Sequence, residues 1–125
     1  MIRVLIIDDD EDDVIILVEA INHLWPNASC ESSTIALWRS LINHLPPTLI
    51  FVDAFSSLGK DCLADLITIS NRDCTTVLVY SDDSRTSALE EFKMMGAFDI
   101  VLKTGDYDEL KKSLSRLNDI VLKSA

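Results

Sequence analysis

Apolar and polar positions fall into blocks along this chain, and the blocks have two periods. Val4-Leu5-Ile6-Ile7, Leu49-Ile50-Phe51-Val52 and Thr75-Thr76-Val77-Leu78-Val79-Tyr80 are short, unbroken apolar or β-branched runs. Such runs read as strands buried on both faces. Between them apolar residues return every three or four positions. The sets are Val14, Leu17, Val18, Ile21 and Leu24; Trp38, Leu41, Ile42 and Leu45; Leu63, Leu66 and Ile67; Ala88, Leu89, Phe92 and Met95; and Tyr107, Leu110, Leu114, Leu117 and Val121. That spacing predicts five helices with one buried face each. Residues 28–32 read as a short second strand and residues 98–102 as the fifth. Five alternations of strand and helix predict an α/β fold, a doubly wound parallel sheet with helices on both faces and right-handed crossovers.

The punctuation agrees with this plan. Asp10 or Asp12 is placed to cap the first helix, and Pro26-Asn27 stops it. Ser33 or Thr34 starts the second, which ends at Pro46-Pro47. Residues 54–60 read as a loop, with Asp61 as the cap of the third helix. Gly96 ends the fourth, and Asp106 with Glu109 three residues later forms a capping-box pattern for the fifth.

Every strand runs into something polar. The first meets Asp8 and Asp9, the third Asp53, the fourth Ser81 and the fifth Lys103. In a doubly wound sheet these ends share one rim, where open α/β sheets bind ligands. Three carboxylates there repel one another, and a hard divalent cation relieves the repulsion; Mg²⁺ suits one or two carboxylates with waters and phosphate oxygens. Lys103 as a point charge and Ser81 as a donor suit phosphoryl oxygens. The set reads as a place where a carboxylate receives a phosphoryl group. Asp10 to Asp13 read as a solvated helix start.

Composition narrows the partners. With 125 residues and 48% hydrophobic content the chain suits one domain, 1–125, with one core. Eleven Lys and Arg against 21 Asp and Glu give a net charge of −10. That disfavours direct nucleic-acid or anionic-membrane binding and fits a cation site and basic partners. Cys30, Cys62 and Cys74 form no CxxC pair, so reduced thiols in a cytoplasmic protein are expected. No signal peptide or membrane-length apolar run is visible. His23 and His44 read as surface residues, and Trp25, Trp38 and the Met94-Met95 pair as packing.

Ile6-Ile7-Asp8-Asp9, Leu49-Ile50-Phe51-Val52-Asp53, Val79-Tyr80-Ser81 and Gly96-Ala97-Phe98-Asp99-Ile100-Val101-Leu102-Lys103 together resemble the receiver domain of two-component response regulators, over the whole chain. The resemblance implies a flavodoxin-like (βα)5 sheet of five strands in the order 2-1-3-4-5. It implies Asp53 as phosphoacceptor, and Mg²⁺ held by Asp8, Asp9, Asp53 and the Phe55 backbone carbonyl. It implies Ser81 as the switch hydroxyl and Lys103 as the phosphoryl group's ion-pair partner. The implied function is a stand-alone receiver, a signalling protein and not an enzyme. A histidine kinase or phosphotransfer protein would phosphorylate it, and a downstream protein would read it, with the chain a monomer or a phosphorylation-dependent dimer.

The sequence departs from that family at five places. Thr104 follows Lys103 where proline is usual, and a cis bond before threonine would cost about 3 kcal/mol, so either a trans bond with a shifted loop or a strained cis exception is expected. Ser56-Ser57 replaces the usual methionine-proline, and Gly59 comes two residues early. Asp82 follows the hydroxyl where a small residue is usual, and Ile100 replaces an aromatic switch residue. Phe55 offers an apolar shield for an acyl phosphate. A pseudo-receiver, a binding module that has lost switching, is the alternative that Asp82, Thr104 and Ile100 favour. An aspartyl phosphatase would need an acid two residues beyond Asp53, where Phe55 stands, and no GxGxxG follows the first strand for a dinucleotide.

Overall fold

In the computed structural model, residues 2–42, 47–54, 57–73 and 75–124 are described. Strands β1 (Arg3–Ile7), β2 (Ser29–Ser33), β3 (Leu49–Val52), β4 (Thr76–Ser81) and β5 (Asp99–Leu102) form one parallel sheet in the order β2-β1-β3-β4-β5. The helices are α1 (Glu11–Leu24), α2 (Arg39–Ile42), α3 (Ser57–Asp73), α4 (Thr86–Met95), α5 (Tyr107–Ser115) and α6 (Asn118–Ser124).

The unbroken apolar runs are explained by two cores. Val4, Ile6, Phe51, Leu78, Tyr80 and Val101 pack with Leu17, Ile21, Leu110 and Leu114 on the α1 and α5 side. The alternate residues Leu5, Ile7, Ile50, Val77, Val79 and Ile100 pack with Trp38, Leu63, Leu66 and Phe92 on the other. A strand whose neighbouring side chains are buried on opposite faces has no room for a polar position. β2 is the exception: Ser-Cys-Glu-Ser-Ser is an edge strand with no fully buried residue, tied to β1 by the Arg3–Glu31 ion pair at 3.0 Å.

Several expected boundaries move. α2 begins at Arg39 after a turn over 35–38, not at 33 or 34; Leu45, His44 and Pro46 lie outside the described residues. α3 begins at Ser57, so the expected loop is shorter and Asp61 lies inside the helix, exposed. Gly59 is the reason. A Cβ built there would stand 2.4 Å from the Asp53 carbonyl oxygen and 2.9 Å from Ala54 Cα, so only glycine lets the first turn lie against that backbone. The fifth helix is two, α5 and α6, separated by a turn at 116–117. The spacing of Leu114, Leu117 and Val121 stays helical across the break, so periodicity could not reveal it. β4 and β5 each start one residue later than expected, which leaves Phe98 59% exposed. Trp25 and Trp38 are buried as expected and His23 is exposed, but Met94 points outward at 89% exposure. The helix starts and stop hold elsewhere. Asp10 accepts from the Asp12 and Asp13 amides, Asp106 from those of Asp108 and Glu109, and Gly96 ends α4 at φ +111°.

Candidate functional site at the strand-end rim

The backbone ladder brings the polar strand ends together. The Asp53 amide donates to the Ile7 carbonyl at 2.9 Å, and the Lys103 amide to the Ser81 carbonyl at 2.7 Å. Adjacent parallel strands thus finish in register, and the residues just past their ends face one crevice. An open cleft of about 640 Å³ is lined by Asp8, Asp9, Asp10, Glu11, Asp12, Ile35 and Asp53.

Lys103 is the cation at the centre of the rim. Its Nζ lies 2.8 Å from Asp13 Oδ2, 2.9 Å from Asp8 Oδ2 and 3.3 Å from Asp53 Oδ2. The Tyr80 ring lies beneath it, 5.2 Å from centroid to Nζ. Burial works against the lysine's charge. A hydrogen bond to Asp13 and the charges of Asp8 and Asp53 overcome that penalty and hold its pKa above the usual range. The bond between Lys103 and Thr104 is trans, as no described peptide bond is cis, and Lys103 still reaches the acids. The Thr104 hydroxyl accepts from the Asp106 amide at 3.1 Å, which closes the turn into α5.

Asp8 is buried, and burial raises its carboxyl above the usual range despite the opposing pull of the Asp10 amide and Lys103. Oδ1 accepts from Asp10 N–H at 2.9 Å. Oδ2 touches Lys103 as an ion pair, yet its angles make no hydrogen bond, so it stands buried without a hydrogen-bond partner. Asp9 is exposed and its carboxylate accepts from the Ile35 amide at 2.9 Å. Phe55 lies outside the described residues. Among the described residues no three acidic, His or Cys side chains stand arranged around a common metal position. The donors nonetheless suit one: hard carboxylate oxygens line an open cleft, and Asp8 Oδ2 has an unused lone pair.

Ser81, fully buried at the end of β4, accepts from the Asp83 amide at 3.0 Å. Arg85 in turn clamps Asp83 through Nε at 2.9 Å and Nη2 at 2.6 Å. These hydrogen bonds from the guanidinium hold the Asp83 carboxyl down at about 2. Asp82 is exposed.

The rim therefore joins Asp8, Asp53 and Lys103, places Asp9 in the same cleft with its carboxylate engaged elsewhere, and sets Ser81 into its own turn. Sequence reasoning missed Asp13, which it took for a solvated helix start. Asp13 lies one turn before Leu17 and two before Ile21, on the buried stripe of α1. That spacing is the signal that could have found it.

No protein-family model and no curated sequence matches the chain. Solved structures do. NtrX from Brucella abortus superposes with a TM-score of 0.77 at 19% identity, over 98% of this chain and 28% of that one. The Mn²⁺-bound response regulator Rcp1 gives 0.76 at 14% identity, over 100% and 97%. The signal receiver domain of the DNA-binding response regulator merR from Colwellia psychrerythraea 34H gives 0.79 at 16%, over 95% and 99%. The chain thus spans less than a third of NtrX and nearly the whole of the other two. The fold is that of the response-regulator receiver domains, with the expected strand order. Among the described residues no helix is long and apolar enough to cross a membrane.

Proposed function

We propose that this chain is a receiver that takes a phosphoryl group on Asp53 from a phosphohistidine-bearing kinase or phosphotransfer protein, and signals through altered protein binding. One observation carries the reading: a half-buried lysine joins Asp8 and Asp53 across three strand ends, in an open acidic cleft. The step balances simply. An Asp53 carboxylate oxygen bonds to phosphorus, the bond from phosphorus to the donor breaks, and the donor leaves with the electron pair. Lys103 follows the new charge as its ion-pair partner, and Ser81 donates its hydroxyl once it leaves the Asp83 turn. Asp8, Asp9, Asp53 and the Phe55 carbonyl are the proposed Mg²⁺ ligands. When bound, Mg²⁺ supplies charge neutralisation for the phosphoryl oxygens. The Mn²⁺ that Rcp1 binds supports a divalent ion here.

The pinned Ser81 hydroxyl and Ile100 favour a second reading, a pseudo-receiver that binds partners without phosphorylation. Intact-protein mass after incubation with acetyl phosphate and Mg²⁺ decides between them. A phosphate adduct that disappears without Mg²⁺ and in Asp53→Ala is expected; no adduct under any condition sinks the receiver reading.

A further inference from the structure

Asp13 makes the shortest contact to Lys103 on the rim, 2.8 Å against 3.3 Å for Asp53. It is carried by a helix, not by a strand end. Its side chain is 28% exposed, and its backbone is fixed at both ends. The amide is capped by Asp10, and the carbonyl accepts from the Tyr80 hydroxyl at 3.4 Å. Tyr80 stands on β4 beside Ser81, and burial, with the Asp13 charge next, pushes its phenol up to about 12, so it remains a donor. The ammonium is therefore walled by α1 and Tyr80 on one side and by the strand-end acids on the other.

We propose that Asp13 is a positioning residue that holds Lys103 toward α1, so that the lysine is shared between that helix and the strand-end carboxylates until a phosphoryl group on Asp53 draws it away. The second half rests on the phosphoacceptor reading; the first half does not. An ammonium has three donors and here meets three carboxylates, and the one on Asp53 is the most distant. A phosphoryl group brings more charge and three acceptor oxygens, so it outcompetes Asp13. The released Asp13 then reports the state of Asp53 to the first turn of α1. No aromatic residue at position 100 is needed for that route.

The test compares the full chain with Asp13→Asn and Asp12→Asn. Both remove one charge from the same helical turn, and Asp12 is exposed and outside the contacts of Lys103. The first readout is the Lys103 side-chain NMR resonance at one fixed pH in EDTA, assigned by its loss in Lys103→Met. The second is the Mg²⁺ dissociation constant. In Asp13→Asn the resonance moves and the dissociation constant rises about threefold beyond that of Asp12→Asn, because the freed lysine competes harder for Asp8 and Asp53. Equal resonances and equal Mg²⁺ affinities in the two variants overturn the proposal. If the wild type takes no phosphate while Asp13→Asn still moves Lys103, the phosphoacceptor reading fails and the hold of Asp13 on the lysine stands.

Discussion

The two sides of the strand-end rim are built on opposite electrostatic plans. On the Lys103 side, Asp8, Asp13 and Asp53 come from three separate elements and depend on one shared cation. On the Ser81 side, Asp83, Arg85 and the Ser81 hydroxyl satisfy one another within five residues of chain. The first is a long-range cluster that cannot exist unless the fold does. The second is a local turn whose bonds each join residues two apart in the chain. Under the proposed function, a phosphoryl charge on Asp53 acts first on the shared cation, and the hydroxyl follows only after its turn opens.

The largest break of this contrast is Lys103→Met. Removing the cation leaves Asp8 buried beside two further carboxylates. Breaking a buried pair on one side typically costs about 3 kcal/mol, and that loss is expected from urea unfolding at pH 7. It shrinks as the pH falls and the acids protonate. Arg85→Ala, which removes a local clamp carried by an exposed guanidinium, is expected to lower the urea midpoint by less than Lys103→Met does. Equal losses in the two variants would break the comparison.

Opposite pH slopes are the next effect. Burial raises Asp8 above its ordinary 3.8, so its charged form destabilises the fold; that cost is present above the raised value and gone below 3.8. Arg85 lowers Asp83 from 3.8 to about 2, so the Asp83 contribution is present above 3.8 and is lost as the pH falls toward 2. In EDTA, Asp8→Asn is expected to be more stable than wild type at pH 7, with the advantage vanishing near pH 3.8. Asp83→Asn is expected to be less stable at pH 7, with the deficit disappearing only below 3.8. Unfolding midpoints along a pH series check both, and parallel curves would show that the two sides are not built differently.

The same division explains what the sequence could show. Asp8, Asp53 and Lys103 were legible because each directly follows a run buried on both faces, and such a run fixes where its end lies. The five-strand plan and both side-chain caps were legible for the same local reasons. Asp13 was not, because its role depends on how α1 docks across the sheet against α5, a matter of tertiary packing. The start of α3 was hidden because Gly59 announces a close approach without saying to what. The Asp83 clamp needs a side chain to fold back two residues along its own chain, which no periodicity encodes.

Asp82 gives the smallest and most discriminating prediction. It follows Ser81 directly, so a carboxylate there has the position to repel an incoming phosphodonor. The side chain is exposed, while its neighbour Asp83 takes up Arg85 and donates its amide to Ser81. An exposed charge is screened over about 8 Å at physiological salt, so its repulsion is weak and falls further as salt rises. Asp82→Ala is therefore expected to take phosphate from acetyl phosphate at least as fast as wild type, by a factor of about two at low salt and nearly equally at high salt. A clear slowing would mean that Asp82 supports the Ser81 turn, and that the hydroxyl side is less self-contained than its hydrogen bonds indicate.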